Sequence, residues 1–269
     1  MFLTGAAGTG NSFIIGAISE RLMKQGKHVR VVAWTGMATQ HVNGQTFHSF
    51  FGWPSQSKAT IDTMADAHVT GVSDRLCHTD ALIVDEISMV ERDYFTRMDH
   101  CLREANRGRR ADLQTEPFGG LQIIVVGDFY QLPPILPFAC CITCGEPTRK
   151  VHNHGFGQIH HHCIEHGPTA DGQKWAFQSV SWQHCHFVNI NLTEIHRQHD
   201  PGFRTVLNNR RLGHPMTDDE RHVLLRHQTN NLEPVDVLSR NEDVDLVNRT
   251  RLQDCTGPEL SFHSLDSYR

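Results

Sequence analysis

Three short apolar runs, each followed at once by glycine or polar residues, constrain the fold of this chain more than any other feature. The runs are Phe2–Thr4, Ala81–Asp85 and Leu121–Gly127. Continuous apolar runs of this length are typical of strands that are buried on both faces of a parallel sheet. Segments with helical periodicity separate them, and such alternation favours right-handed crossovers. We therefore predict an α/β fold, a parallel sheet flanked by helices.

Further segments extend this pattern along the chain. The predicted helices are Ser12–Gln25, Glu91–Asn106, Pro201–Leu212, Asp218–His227 and Val244–Leu252, and further strands are predicted at His28–Trp34 and Val235–Leu238. From the pattern we predict a core at residues 1–137, an insertion at 138–174, a return to the core with an inter-domain segment at 175–213, and the incomplete start of a second domain at 214–269.

Composition limits the function only weakly. The chain has 269 residues and a formal charge of −5, which argues mildly against an autonomous nucleic-acid binder, although a basic groove can lie on an acidic protein. It contains no apolar run of about eighteen residues, and its first residues match neither a signal peptide nor a transit peptide. We therefore expect no membrane partner.

A glycine-rich loop lies between the first predicted strand and the first predicted helix. It comprises Gly5, Ala6, Ala7, Gly8, Thr9, Gly10, Asn11 and Ser12. Glycines let successive backbone N–H groups surround phosphate oxygens, and the N-terminus of the following helix favours an anion. The segment matches a nucleotide-binding P-loop, with Ser12 at the position of the magnesium-binding hydroxyl. Taken alone, a glycine-rich turn that binds no nucleotide is the alternative.

Position 11 departs from the P-loop pattern, because asparagine stands where the pattern has lysine. Lysine would place a full positive charge against the β- and γ-phosphates, whereas asparagine is shorter, neutral and offers only amide donors. Losing one preorganised contact of this kind typically lowers a rate by about 10²–10³. We expect nucleotide binding to persist in part and hydrolysis to be impaired.

Two further motifs follow buried strands. Asp85 and Glu86 end one strand, at the sheet edge where α/β proteins bind ligands. We predict that Asp85 holds Mg²⁺ and that Glu86 polarises the attacking water as general base; a pair that only caps the next helix is the alternative. Gln131, in the segment GDFYQLPP, is predicted to sense the γ-phosphate, and a proline-terminated turn is the alternative there.

These motifs together resemble a known family, the petite-integration-frequency (Pif) DNA helicases, relatives of RecD in helicase superfamily one. The stretches that carry the resemblance are FLTGAAGTGNS, VVAWTGMATQHVNGQTFHSFFG, ALIVDEISMV, GGLQIIVVGDFYQLPPI and LTEIHRQHDPGFRTVLNNRRLG. The resemblance implies two RecA-like domains and an ATP- and Mg²⁺-dependent 5′-to-3′ motor on single-stranded or forked DNA. It also implies a monomer that acts in DNA repair, recombination and telomere maintenance, in the nucleus, the mitochondrion or both.

Within this family Thr35 and Gly36 match one segment that contacts single-stranded DNA, and Thr46 and His48 match a second. Hydroxyl and imidazole groups on loops can hold phosphate and sugar without reading sequence; a Thr/His pair that caps a short helix is the alternative. Arg197 matches the arginine that reaches the γ-phosphate across the domain cleft, and a surface arginine is the alternative.

The chain departs from the family in three ways. Asn11 replaces the lysine, the segment that carries an adenine-reading glutamine before the first strand is absent, and so are the late motifs of the second domain. Because translocation requires two domains that close and open on nucleotide, we expect no unwinding by this chain unaided.

The predicted insertion contains two matched knuckles, Cys141/Cys144 and Cys163/His166. Their spacing, C-x2-C-x18-C-x2-H, fits a tetrahedral structural zinc site. Cys140, His160, His161 and His162 are rival ligands nearby, and a histidine-rich loop with free thiols is the alternative. Two hypotheses result: an ATP-dependent helicase core, or a catalytically inactive relic that serves as a nucleotide-, DNA- or zinc-binding interaction module. Asn11 is the residue that separates them.

Overall fold

The computed structural model describes residues 1–53, 67–69, 71–107, 113, 115–153, 158–226 and 238–254. Its main sheet has six strands in the order β3-β2-β4-β5-β1-β9, and all neighbouring pairs are parallel. The strands are β1 (Phe2–Gly5), β2 (Val29–Ala33), β3 (Gln45–Thr46), β4 (Ala81–Asp85), β5 (Gln122–Val126) and β9 (Asn189–Leu192). The predicted α/β fold is confirmed.

Helices connect these strands and cover the sheet. In chain order they are α1 (Asn11–Lys24), α2 (Gly36–His41), α3 (Phe47–Phe51), α4 (Val72–Cys77), α5 (Arg92–Ala105), α6 (Val180–His184), α7 (Pro201–Arg211), α8 (Asp218–Arg226) and α9 (Asn241–Gln253). In the part of the chain that the structure describes, every helix is too short or too polar to cross a lipid bilayer.

Alternate residues of the central strands serve two separate cores. Leu82 and Val84 of β4 pack into a cluster on one face of the sheet, where α5 contributes Phe95. Ala81 and Ile83 pack into the cluster on the other face, where α1 contributes side chains. All four β4 residues are fully buried. Burial on both faces explains why this strand is a continuous apolar run rather than an alternating one.

A second, antiparallel sheet lies within residues 138–174, where the sequence shows no clear periodicity. Its strands are β6 (Arg149–Asn153), β7 (Gln158–Cys163) and β8 (Gly167–Ala170), in the order β6-β7-β8. These strands are short and carry many histidines and other polar residues, so hydrophobic alternation does not reveal them. Backbone pairing specifies them instead, for example Arg149 opposite His162.

The chain divides into two compact units, Met1–Leu224 and Leu225–Arg269. Glu220 of α8 accepts a hydrogen bond from Asn209 of α7 at 2.6 Å and pairs with Arg210 at 3.0 Å, which joins these two helices. In the second unit the structure describes α9. The predicted strand at Val235–Leu238 lies outside the described residues except for Leu238, and the four-part division of the chain stays a prediction.

Glu91 connects the antiparallel segment to the main core. It is 5 % exposed and accepts a hydrogen bond from the backbone N–H of Phe138 at 2.6 Å. Burial raises the pKa of Glu91 to about 7; the Phe138 bond opposes this, the Asp93 charge adds to it, and Arg97 and Arg92 oppose it. The carboxyl group is therefore protonated in the folded chain at pH values where an exposed glutamate is ionised.

A pH dependence of stability follows from Glu91. Between about pH 4.5 and about pH 7 the unfolded chain releases this proton while the folded chain keeps it, so the free energy of unfolding falls as pH rises. The loss is complete above about pH 7 and amounts to something on the order of 3 kcal/mol. Urea denaturation at pH 5 and pH 8 measures it. Glu91→Gln should show a flatter dependence, and an unchanged dependence would contradict the assignment.

Candidate active site

The glycine-rich loop joins the end of β1 to the start of α1. Gly8 and Gly10 have φ angles of 87° and 93°, a region that favours glycine. A Cβ added at Gly8 would lie 2.7 Å from Cβ of Arg197, so the position also requires a small residue for close approach. The Gly8 carbonyl accepts hydrogen bonds from the N–H groups of His196 and Arg197, at 2.8 and 3.3 Å. Glycine at position 8 thus brings the loop into contact with the arginine segment.

One cavity of about 410 Å³ brings the separate motifs together. Its lining includes Asn11 and Ser12 from the loop, both strand-end carboxylates, Gln131 and Arg197. The complete lining is Ala7, Gly8, Gly10, Asn11, Ser12, Phe13, Asp85, Glu86, Gly127, Gln131, His196 and Arg197. The sequence motifs are therefore neighbours in space, although they are spread along the chain from Ala7 to Arg197.

Three predicted loop residues do not line this cavity. Thr9 is 5 % exposed and donates from its hydroxyl to the carbonyl of Ala6 at 2.9 Å, which closes the loop. A Cβ at Gly5 would lie 2.6 Å from the Thr9 hydroxyl oxygen. Gly5, Ala6 and Thr9 shape the loop, and the residues from Ala7 to Ser12 other than Thr9 face the cavity.

Asn11 lies at the first position of α1 and has an incompletely satisfied side chain. Its Oδ1 is buried and has no hydrogen-bond partner in the described structure. Buried polar atoms in native proteins nearly always have partners, and an unpaired one commonly indicates a ligand, water or ion at that point. Because amide oxygen and nitrogen are assigned from the hydrogen-bond network, a flip of this amide would place its NH₂ group, a donor, at the position where a phosphate oxygen can accept.

The two carboxylates at the end of β4 are held in a partly buried setting. Burial raises the pKa of Asp85 to about 6, against the effect of the Glu86 N–H, which donates to Asp85 Oδ1 at 2.9 Å. Burial also raises the pKa of Glu86, and the negative charge of Asp128 adds to this. A divalent cation would offset the cost of ionising such a pair. A hydroxyl together with a carboxylate is a donor set that Mg²⁺ prefers, so Ser12 and Asp85 fit this ion.

Gln131 is positioned by a residue that the motif analysis did not single out. Asp128 is 1 % exposed, and its carbonyl accepts from the Gln131 N–H at 2.8 Å. Its carboxylate forms a bidentate pair with Arg211 of α7, at 2.6 and 2.8 Å. The Arg211 guanidinium also lies 4.6 Å from the ring centroid of Tyr130. The loop that carries Gln131 is thereby fixed to a helix eighty-three residues further along the chain, a separation that no local pattern reveals.

The residues assigned to DNA contact lie side by side because β3 pairs with β2, with Thr46 opposite Ala33. Thr35 accepts from the N–H of Ala38 at 3.3 Å, and Thr46 accepts from the N–H of Ser49 at 3.2 Å. Both hydroxyls are helix caps, as the alternative proposed for Thr46. A hydroxyl that accepts one bond still has its own proton to donate, so capping leaves each free to contact a phosphate.

His48 and Gly36 complete this surface. Gly36, the first residue of α2, is exposed. The His48 ring packs 5.5 Å from Trp34 and 6.1 Å from Tyr94, and burial lowers its pKa. It does not cap α3, since Thr46 does.

Cys141, Cys144, Cys163 and His166 form a compact cluster in the antiparallel segment. Their ligand atoms all lie within 4.8 Å of one another. The Cys144 and Cys163 sulfurs are 3.7 Å apart, and the His166 Nδ1 lies 3.6 Å from the sulfurs of Cys141 and Cys163. A tetrahedral zinc ion with ordinary bond lengths requires about 3.8 Å between sulfurs and about 3.6 Å between sulfur and nitrogen. The cluster therefore has the dimensions of a Cys₃His zinc site.

The rival ligands lie elsewhere. His161 is buried, and its Nε2 lies 3.0 Å from Asp171 Oδ1. Cys140 and His160–His162 are not members of the four-residue cluster found among the described residues. The antiparallel pairing of β7 with β8 brings Cys163 and His166 to the turn between these strands.

Comparison with known proteins identifies relatives. A family model described as PIF1-like helicase matches residues 1–141. The ATP-dependent DNA helicase PIF1 of Xenopus laevis is 33 % identical over 273 residues, which cover 99 % of this chain and 36 % of that protein. The ATP-dependent DNA helicase RRM3 of Saccharomyces cerevisiae is 29 % identical over 276 residues, which cover 99 % of this chain and 33 % of that protein. The chain thus spans about a third of the length of these curated relatives.

Solved structures of Pif1 helicases are also similar to this chain. The Pif1 helicase from Candida albicans superposes with a TM-score of 0.70 at 29 % identity, covering 96 % of this chain and 51 % of that one. A Bacteroides Pif1 helicase in complex with ADP-AlF3 and single-stranded DNA gives 0.69 at 28 % identity, covering 94 % and 53 %. The resemblance drawn from the motifs is confirmed. The chain belongs to the PIF1-like helicase family.

Proposed function

We propose that this chain is the nucleotide-binding portion of a Pif-type, ATP-dependent 5′-to-3′ DNA helicase. The observation that carries the proposal is the single cavity that Ser12, Asp85, Glu86, Gln131 and Arg197 share. Support also comes from the relatives, all described as ATP-dependent DNA helicases, and from the Bacteroides complex with ADP-AlF3 and single-stranded DNA. Because the chain spans about a third of the length of these relatives, we propose DNA unwinding only for a protein of their full length.

Each residue of the cavity has a proposed role. The backbone N–H groups of the loop surround the phosphates, and Ser12 and Asp85 hold Mg²⁺, which when bound offsets charge on the phosphate oxygens. Glu86 accepts a proton from the attacking water. Gln131 contacts the γ-phosphate, and Arg197 stabilises the charge that develops there, as an arginine finger does.

Thr35, Gly36, Thr46 and His48 are proposed to contact the backbone of single-stranded or forked DNA. Two Bacteroides Pif1 structures contain single-stranded DNA, and a further Pif1 structure concerns DNA unwinding at forked double-stranded DNA. The proposed cellular roles are DNA repair, recombination and telomere maintenance, in the nucleus, the mitochondrion or both. A monomer is the proposed oligomeric state.

Zinc is proposed as a structural ion in the antiparallel segment, bound by Cys141, Cys144, Cys163 and His166. The tetrahedral spacing of their ligand atoms supports it. A segment of short, polar strands buries little apolar surface, and a metal supplies the missing folding free energy.

Asn11 supports a second candidate function. With the phosphate-binding lysine replaced, the chain would bind nucleotide or DNA, and zinc, without turnover, and would serve as an interaction module. The two candidates share the cavity and differ in the rate of hydrolysis.

The role of Glu86 can be tested in a chain that carries Asn11→Lys, so that turnover is measurable. There, Glu86→Gln is expected to lower ATP hydrolysis by about 10²–10⁴, because the general base is lost. Affinity for a fluorescent ATP analogue should change little. Glu20→Gln, on the exposed face of α1, is the matched control and should leave the rate unchanged. Hydrolysis that survives Glu86→Gln would contradict the proposed role.

A further inference from the structure

A second cavity lies outside the nucleotide site, between the main core and the antiparallel segment. It has a volume of about 740 Å³. Trp34, His48 and Tyr94 line it from the core, and Ile135, Glu146 and Pro147 line it from the opposite side. No role in the proposed ATP chemistry accounts for it.

Three aromatic rings form the core side of this cavity. The Trp34 ring lies 5.0 Å from Tyr94 and 5.5 Å from His48, both edge-on. Tyr94 is 8 % exposed and Trp34 is half-buried, so packing fixes both rings. Aromatic faces held in this way are the surfaces on which unpaired bases stack.

The charges of the cavity exclude a phosphate as its occupant. No lysine or arginine is present among the described residues that line it, whereas Glu91 and Glu146 are. Burial lowers the pKa of His48 and raises that of Glu91 to about 7, which favours the neutral form of both groups. A neutral, planar, aromatic group with polar edges fits this lining, and an anion does not.

The position of the cavity identifies the source of such a group. Trp34 immediately precedes Thr35 and Gly36, and His48 itself belongs to the second segment proposed to contact DNA. A strand whose phosphates lie on the Thr35 and Thr46 hydroxyls would hold its bases beside this opening.

The antiparallel segment supplies a rigid opposing wall. The Gly145 N–H donates to the Cys141 carbonyl at 2.8 Å, and the Cys141 N–H donates to the Glu146 carbonyl at 2.8 Å. This turn carries two members of the Cys₃His cluster and ends at Pro147. The wall is thus attached to the Cys₃His cluster.

We propose that this cavity accepts one unstacked nucleobase of single-stranded DNA, stacked against Trp34 and enclosed by the wall at residues 135–147. The proposal rests on the proposed DNA-binding function and deepens it. Stacking accepts every base, so the cavity should bind without sequence preference.

Oligonucleotide binding tests the proposal by fluorescence anisotropy. The probes are labelled oligothymidylate and an oligonucleotide of equal length that carries abasic residues. One stacked base contributes about 1–3 kcal/mol, so the unmodified chain should bind the thymidylate probe at least about fivefold more tightly. Trp34→Leu keeps an apolar side chain but removes the aromatic face, and it should bring this ratio close to one.

A second pair of variants alters exposed side chains rather than the half-buried Trp34 ring. Ile135 is 68 % exposed at the cavity, and Val151 is 49 % exposed on β6, away from it. Ile135→Glu should weaken thymidylate binding several-fold more than Val151→Glu, which adds the same charge at an exposed position outside the cavity lining.

The two levels of the proposal fail differently. If the unmodified chain bound neither probe, DNA binding and the base pocket would both be overturned. If it bound both probes equally, or if Trp34→Leu preserved the ratio, DNA binding would stand and the base pocket would be overturned. An apolar peptide would then be the occupant to examine.

Discussion

Replacing Asn11 with lysine is expected to raise the rate of DNA-stimulated ATP hydrolysis by about 10²–10³ and to tighten the binding of Mg-ATP. The unmodified chain should hydrolyse ATP slowly, with or without single-stranded DNA. A steady-state ATPase assay and a titration with a fluorescent ATP analogue measure the two effects.

The geometry of the cavity explains the expected size. Among the described lining residues, Arg197 is the one lysine or arginine, so the phosphates meet two carboxylates with little opposing charge. Lysine at position 11 would place an ammonium group at the start of α1, where the helix N-terminus already favours an anion. Electrostatic contacts in such a partly buried site contribute more than in water.

A matched variant separates charge from length. Asn11→Met has a side chain almost as long as that of lysine but no charge, and it should not restore hydrolysis. Equal rates for the lysine and methionine variants would show that charge is not what position 11 lacks. A turnover in the unmodified chain comparable to that of a lysine-bearing relative would remove the case for an impaired enzyme.

Purified chain prepared with zinc present is expected to contain about one equivalent of zinc, held by the four-residue cluster. Cys163→Ser should abolish stoichiometric binding, because Cys163 is buried at the centre of the cluster, within 3.7 Å of Cys144 and 3.6 Å of His166. Structural zinc sites in small domains contribute about 10–16 kcal/mol of apparent binding free energy, so the loss should unfold the antiparallel segment.

Amide hydrogen exchange shows which strands unfold when zinc is lost. Amide protection in β6, β7 and β8 should fall in Cys163→Ser and after chelation, whereas protection in β4 should persist. Cys185→Ser is the control, because Cys185 is a free cysteine that is not one of the four residues of the cluster. It should leave zinc binding unchanged. Metal analysis that finds well under one equivalent in the unmodified chain would refute the zinc proposal.

The sequence by itself determined the fold class and four of the six strands of the main sheet, whereas β3, β9 and the strand order came from the structure. Strands β4 and β5 are buried on both faces. Because every side chain of such a strand contacts apolar neighbours, its sequence is a continuous apolar run. The helix predicted at Glu91–Asn106 differs from α5 by one residue at each end, because Glu91 and Asn106 are the flanking cap positions. The hydrophobic pattern of each segment was sufficient to predict these elements, because the pattern depends on how that segment is buried.

The motifs also identified residues that share one cavity, since the carboxyl ends of parallel strands meet at one edge of a sheet. Phe13, Gly127 and His196 line the same cavity and were not singled out. Each lies next to a predicted residue or at the end of a predicted strand, so proximity along the chain was the available signal.

Only the tertiary structure decided the contacts between distant segments. Three features join segments whose sequences share no hydrophobic periodicity or motif. They are the Asp128–Arg211 ion pair, the Glu91–Phe138 hydrogen bond and the cavity lined by Trp34. The antiparallel sheet was likewise hidden, because its strands are specified by backbone pairing and by the Cys/His cluster rather than by hydrophobic alternation. Periodicity reports how one segment meets solvent and core, whereas these features depend on which segments meet each other.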